Sequence, residues 1–155
     1  MSLGRDIAII DIDGVLCNVD FEFGTDTFKW KEYAEKDKQR KVLWRGVDLV
    51  EMFISSKITP VYLTARHEGM RQQTQDFLDS LDLWGDLIMS SCGSDEQPLD
   101  KQFQQKQAQI KREEVQKLVQ MYTVLYAVDD QEANCRMYRE FGIPTLKAMF
   151  TGNEF

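Results

Sequence analysis

One stretch constrains the fold of this chain more than any other: Ile7-Ala8-Ile9-Ile10-Asp11-Ile12-Asp13-Gly14-Val15-Leu16. An apolar run of strand length stops abruptly at two carboxylates and a glycine. Such a run predicts a strand buried on both faces, central in a parallel sheet. Residues i and i+2 of a strand point the same way, so Asp11 and Asp13 are expected to aim at one small space beyond its carboxyl end. In open α/β sheets that is where ligands bind. Gly14 allows the backbone to turn tightly there. Asp-x-Asp-Gly also opens a calcium loop, and Glu22 falls at the position of its bidentate ligand. That loop, however, needs an oxygen ligand at Val15, a glycine at Leu16 and a helix, not a strand, before it. Two close carboxylates therefore predict a phosphate or metal site.

Strands alternate with helical patterns along the rest of the chain. Val47, Val50, Phe53 and Ile54 recur at helical spacing after Gly46, and Ile58 to Leu63 reads as a second strand ending in Thr64-Ala65-Arg66. Met70, Thr74, Phe77, Leu78 and Leu81 mark another helix, and Leu87 to Met89 a short third strand. Ser90 to Gln107 is polar and shows no clear period, whereas Ile110, Glu114, Leu118 and Tyr122, with Val115 and Val119 beside them, mark a further amphipathic helix. Leu125 to Val128 is a buried strand that again stops at paired carboxylates, Asp129-Asp130. A helix through Ala133, Met137, Tyr138 and Phe141 closes on Gly142, and Pro144 to Met149 makes a last strand. This alternation predicts a three-layer α/β fold, a doubly wound parallel sheet of Rossmann-like form, built as a single domain over residues 1–155.

Composition excludes several classes. No apolar run approaches membrane length and no signal-peptide pattern opens the chain. Cys17, Cys92 and Cys135 have no metal-ligand spacing and suit reduced thiols, so a cytoplasmic location is expected. A net charge of −7 argues against non-specific coating of nucleic acid. Lys29 to Arg45 departs from that average, with seven basic against three acidic residues, and reads either as a solvated helix or as a surface for an anionic substrate.

Four features fall at or close after predicted strand ends: Asp11 with Asp13, Thr64 with Arg66, Asp129 with Asp130, and a lysine near Lys111. Phosphoryl transfer through an aspartyl-phosphate uses all four. A carboxylate attacks phosphorus, a second carboxylate shuttles the proton, a hydroxyl and a lysine cradle the phosphoryl oxygens, and Mg²⁺ offsets the negative charge. At these residues the chain resembles the haloacid dehalogenase superfamily of phosphatases. The resemblance implies Asp11 as nucleophile, Asp13 as general acid/base, Gly14, Thr64 and Arg66 as phosphate-binding residues, and Asp11, Asp13, Asp129 and Asp130 around Mg²⁺, with Asp130 a direct ligand. The third motif is a lone lysine; Lys111 is preferred because it begins the helix before the Asp129 strand, and Lys106 or Lys117 are alternatives. About 33 residues, from roughly Gly14 to Gly46, separate the first strand from the next helix, too few for a large cap domain.

Tyr126 to Gln131, Met137 to Ile143 and Thr151 to Phe155 are similar to the phosphatase half of phage-type polynucleotide kinase-phosphatases. That resemblance implies a nucleic-acid or nucleotide 3′-phosphate as substrate. The chain departs from the pattern in three ways: no Walker-type phosphate loop occurs, no arginine stands between the first motif and Lys29, and Gln107 replaces an acidic residue four places before the motif lysine. The competing readings are a small-molecule phosphatase of the same superfamily and a non-catalytic phosphate-binding module. A signalling receiver domain uses the same residue types, but there the acidic pair comes first and the phosphorylated aspartate later. His67 is expected on a loop beside the site, Cys17 as a small buried residue, and Trp30, Trp44, Phe21, Phe23 and Phe28 chiefly in the core, with base stacking the alternative.

Overall fold

The computed structural model describes residues 4–18, 27–90, 96–98 and 100–150. In chain order the elements are β1 (Asp6–Ile10), β2 (Thr27–Lys29), α1 (Trp30–Asp37), α2 (Trp44–Ser55), β3 (Thr59–Thr64), a 3-10 turn (Glu68–Met70), α3 (Arg71–Ser80), β4 (Asp86–Met89), β5 (Glu96–Pro98), α4 (Lys101–Met121), β6 (Thr123–Asp129), α5 (Glu132–Glu140) and β7 (Thr145–Lys147). Five strands form one sheet in the order β4-β3-β1-β6-β7. Every pairing is parallel, as the sequence predicts. From β1 the chain winds outward through β3 and β4, then crosses back to β6 and β7. The winding direction therefore reverses between β1 and β6, and the crevice at their carboxyl ends is the natural ligand site of such a sheet.

β1 is buried on both faces, and its alternation sorts the core into two halves. Ala8 and Ile10 pack with Val47, Val50 and Phe53 of α2 and Leu78 of α3. Ile7 and Ile9 pack with Val115 and Leu118 of α4 and Met137 and Tyr138 of α5. Helices thus cover both sides of the sheet, which completes the three-layer arrangement. No described helix is long and apolar enough to cross a membrane.

Beyond β1 the chain makes a single helical turn, with the amides of Val15 and Leu16 donating to the Ile12 carbonyl. Here the expected start of α2 is corrected. The helix begins at Trp44, with Gly46 inside it rather than before it. The reason is close approach: a Cβ on Gly46 would overlap the Val15 carbonyl oxygen. The polar stretch from Ser90 also resolves. β5 pairs antiparallel with β2 in a separate two-stranded ribbon. α4 starts at Lys101, ahead of the apolar pattern, because the Asp100 side chain caps it by accepting from the Phe103 amide. Its first turns are rich in glutamine and lysine, good helix formers that carry no apolar stripe.

Gly46 generates a prediction with an unusual sign. Glycine to alanine inside a helix ordinarily stabilises by up to ~1 kcal/mol. Gly46→Ala should instead cost about 1–3 kcal/mol, because the new methyl pushes α2 off the turn after β1. Denaturant unfolding would read this directly, and a stabilised variant would show that α2 has room to move.

Candidate active site

The Asp11 amide donates to the Val128 carbonyl at 2.9 Å, extending the β1–β6 ladder by one residue and bringing the two strand ends abreast. The Asp11 side chain has the parity of Ile7 and Ile9, so it faces α4. The buried stripe of that helix is Gln107, Lys111, Val115 and Leu118. It begins ahead of the expected Ile110 to Tyr122 pattern and takes Lys111 and Val115 in place of Ile110 and Glu114, because two of its members are polar and do not register as apolar periodicity. Lys111 thereby sits deep in the interior, with Nζ 3.2 Å from Asp11 Oδ1 and 2.9 Å from Asp129 Oδ2. Burial alone would lower the Lys111 pKa, but Asp11 and Asp129 outweigh it and hold the ammonium charged.

The paired aspartates after β6 divide into two roles. Asp129 is fully buried and saturated. Its Oδ1 accepts from the Gln131 amide and Asn134 Nδ2, and its Oδ2 from Lys111 and again Asn134. Asp130 is less engaged, accepting at Oδ2 from the Gln131 side chain at 3.2 Å. Burial, then the charge of Asp129, pushes its pKa up to about 6. Burial also raises Asp11, only partly offset by Lys111, with Asp129 and Asp130 adding to the rise. Gly14 has a φ of +81°, and a Cβ there would overlap the Asp130 carboxylate, so the motif glycine makes the room that Asp130 fills.

Asp11, Asp129 and Asp130 each offer an oxygen within 4.8 Å of the others. Three carboxylates against one ammonium leave uncompensated negative charge, and every donor is a hard oxygen. This set fits a small divalent cation such as Mg²⁺.

Asp13 lies in a different cluster. Its Oδ1 accepts from the Tyr33 hydroxyl at 2.6 Å and Arg66 Nη2 at 2.9 Å, and its Oδ2 from Arg66 Nε at 3.0 Å. Burial would raise Asp13, but the charge and hydrogen bonds of Arg66, with Tyr33 and Arg40, hold its pKa at about 2. The Arg66 guanidinium is buried and also spans Asp37, at 2.7 and 3.0 Å. Thr64 is buried beside it, its hydroxyl accepting from the Arg66 amide at 3.2 Å. The Thr64 carbonyl accepts from Ser90 Oγ, and Gln107 Nε2 donates to the Ser90 carbonyl. So the glutamine found where an acidic residue was expected ties α4 to the end of β4.

Of the sequence-chosen residues, Asp11, Lys111, Asp129 and Asp130 meet in one cluster, and Asp13 and Arg66 in the adjoining one. Three contributors were missed: Tyr33, Asp37 and Arg40. Tyr33 and Asp37 lie one turn apart on α1 and Arg40 follows just beyond its end, and all three side chains are buried although two of them are charged. The basic stretch is thus neither wholly solvated nor wholly substrate-facing: Arg40 Nε lies 3.1 Å from Asp37, while Lys36, Lys38 and Lys41 are exposed. His67 stacks on Trp30 with ring centroids 4.5 Å apart, and Cys17 is buried as expected. Trp44 is 58% exposed, not core, because α2 turns it outward at its first position. Phe21, Phe23, Cys92 and Thr151 to Phe155 lie outside the described residues.

The winding order, with acidic pairs at adjoining strand ends and a lysine buried between them, defines a phosphatase of the haloacid dehalogenase class. Its branch follows from the sequence as a whole. Residues 5–152 match the family described as the polynucleotide kinase PNKP phosphatase domain, and the chain belongs to that family. No curated protein matches the sequence. Among solved structures, the fold is similar to a chain of the Pnkp1/Rnl/Hen1 complex, with a TM-score of 0.70 at 21% identity over 95% of this chain and 47% of that one. A second structure, of the Pnkp1/Rnl/Hen1 RNA repair complex, gives the same TM-score and identity over 96% of this chain and 43% of the other. This chain therefore spans about half the length of those relatives. It is also similar to the wild-type HAD family enzyme BT-2542 from Bacteroides thetaiotaomicron in complex with magnesium and inorganic phosphate. There the TM-score is 0.56 at 16% identity, over 96% of this chain and 98% of that one.

The two clusters predict how metal-free stability follows pH. Asp130 has a raised pKa of about 6 in the fold, so its ionisation opposes folding, and stability is gained as pH falls through that value toward the ordinary carboxylate range. Asp13, held near 2, keeps its contribution until pH falls below about 4. Chelator-treated protein should therefore melt at a higher temperature near pH 5 than at neutral pH, as thermal unfolding across that range would show. A monotonic fall in melting temperature from neutral pH to about 5 would contradict the assigned environment of Asp130.

Proposed function

We propose that the chain hydrolyses phosphomonoesters through an aspartyl-phosphate on Asp11, and that its substrate is a nucleic-acid or nucleotide 3′-phosphate. The observation that carries the reading is the Asp11–Lys111–Asp129–Asp130 cluster in the crevice between β1 and β6. Asp11 attacks phosphorus along the direction its strand sets. Lys111, fixed by Asp129, neutralises the attacking carboxylate and meets the phosphoryl oxygens beside it. Thr64 supplies a hydroxyl from the neighbouring strand end. Asp13 donates a proton to the departing ester oxygen and later takes one from the water that clears the intermediate. Asp11 and Asp130 are the side chains that would hold Mg²⁺, with Asp129 orienting them through Lys111. Bound there, the cation offsets the repulsion between the Asp11 carboxylate and the phosphoryl dianion.

Family membership and the likeness to chains of an RNA repair complex support the substrate. So does the exposed lysine side of α1 and the turn after it. A chain of net charge −7 that grips only a terminal nucleotide needs few phosphate contacts, so overall acidity is tolerable.

Two tests follow. Asp11→Asn should abolish turnover by several powers of ten with the fold intact, since an amide does not attack phosphorus. Asp130→Ala should remove Mg²⁺-dependent activity, and Ca²⁺ should substitute poorly because it demands more ligands at longer distances. Full activity in chelator would contradict the metal reading. For the substrate, a phosphate-release screen over 3′- and 5′-phosphorylated oligonucleotides, nucleotides and sugar phosphates should favour the 3′-phosphates. Replacing Lys36, Lys38 and Lys41 together should raise KM for an oligonucleotide while leaving that for an aryl phosphate nearly unchanged. A preference for sugar phosphates would replace the substrate with a small metabolite.

A further inference from the structure

Helix α1 reaches the site through Tyr33, and nothing in the two acidic motifs calls for it. The Tyr33 hydroxyl donates to Asp13 Oδ1 at 2.6 Å, a short charge-assisted bond. Oδ1 also receives Arg66 Nη2 at 2.9 Å and the Cys17 thiol at 3.4 Å, which fills its lone pairs. Oδ2 receives one described donor, Arg66 Nε at 3.0 Å. The two oxygens of one carboxylate are therefore unequal, and Tyr33 contributes to the inequality. The Asp13 side chain is 18% exposed, against 1% for Arg66 and 6% for Asp37, so within this cluster a substrate can reach Asp13 and little else.

Tyr33 is itself held. Its ring lies under the Arg40 guanidinium at 4.0 Å, and Arg40 Nη1 donates to the Asn18 carbonyl. Gln73 of α3 donates to the Ala34 carbonyl at 2.8 Å and to Asp37 at 2.9 Å. Arg66 and Arg40 face Asp13 and Asp37, two charges of each sign, so α1 is clamped without a net field in the cluster.

We propose that Tyr33 is the positioning residue of the proton-transferring carboxylate: it occupies Asp13 Oδ1, so that Oδ2 exchanges the proton with the substrate. This rests on the reading of Asp13 as general acid/base. In the first step the bond from an Asp11 oxygen to phosphorus forms, and the bond from phosphorus to the ester oxygen breaks. A proton that Asp13 Oδ2 has taken up from solvent before the first turnover passes to that oxygen, releasing an alcohol. In the second step a water oxygen bonds to phosphorus, its proton returns to Oδ2, the bond to Asp11 breaks and inorganic phosphate leaves.

Leaving-group chemistry isolates this role. A ribose alkoxide needs the proton in order to depart, whereas p-nitrophenolate departs without it. The experiment measures first-turnover release from a 3′-nucleoside monophosphate and from p-nitrophenyl phosphate for wild type, Tyr33→Phe and Asp13→Asn. Tyr33→Phe should slow release from the nucleotide by roughly 10- to 100-fold, leave nitrophenol release and both KM values within about twofold, and keep the thermal unfolding profile. Asp13→Asn should show the same split, more deeply. If Asp13→Asn splits the substrates and Tyr33→Phe does not, the positioning role is overturned while the function stands. Equal losses on both substrates in Tyr33→Phe would make Tyr33 a packing residue. If Asp13→Asn itself slows both substrates equally, the acid/base reading fails and the role of Tyr33 with it.

Discussion

A single buried ammonium organises this protein. Lys111 is almost wholly withdrawn from solvent and rests against Asp11 at one strand end and Asp129 at the next. Removing the ammonium would leave both carboxylates uncompensated in the interior, at a cost on the order of 3–5 kcal/mol. The interaction therefore does two things at once. It joins α4 to the sheet at the point where the winding reverses, and its positive charge opposes the rise that burial imposes on the Asp11 carboxyl. Asn134 and the Gln131 amide complete the saturation of Asp129, so the ammonium has a fixed seat.

A second polar cluster stands beside the first and is built on the opposite principle. Around Lys111 negative charge is in excess, which suits a cation. Around Arg66 the charges cancel, with Asp13 and Asp37 against Arg66 and Arg40. Adjacent regions with different balances let two aspartates, two residues apart, sit in unlike environments. Asp11 is pushed up by burial, while Asp13 is drawn down by its arginine. The two carboxylates of the first motif, two residues apart, are thus pushed in opposite directions by their surroundings.

The sheet and the first cluster were legible in the sequence because each strand announces itself as an apolar run that ends in chemistry. The alternation Ile7/Ile9 against Ala8/Ile10 follows from strand geometry alone. The start of α2 was misplaced by three residues, since a glycine before an apolar run looks like a boundary when its purpose is contact with the Val15 carbonyl. The start of α4 was hidden by a polar stretch capped by Asp100, and the β2–β5 ribbon by strands of three residues each. The second cluster was hardest to read. Tyr33 and Asp37 share a face of α1 and Arg40 follows beyond its end, but a buried patch made of charges looks on paper like a solvated one. Only the pairing across space with Asp13 and Arg66 distinguishes the two, and pairing is not a property of local pattern.

The position of β1 in the middle of the sheet has a consequence for how the chain reaches this state. Ile9 lies abreast of Val61 on one side and Ala127 on the other, so the strand needs partners from two distant later segments. During synthesis Ile7 to Ile10 is made before either partner and can be paired on both edges only after β6 has emerged. Until then a strongly apolar strand has an open side, the kind of segment that associates with other chains. The contacts of Lys111 with Asp11 and Asp129 span β1 and β6, so that polar cluster is complete only once the open side has closed.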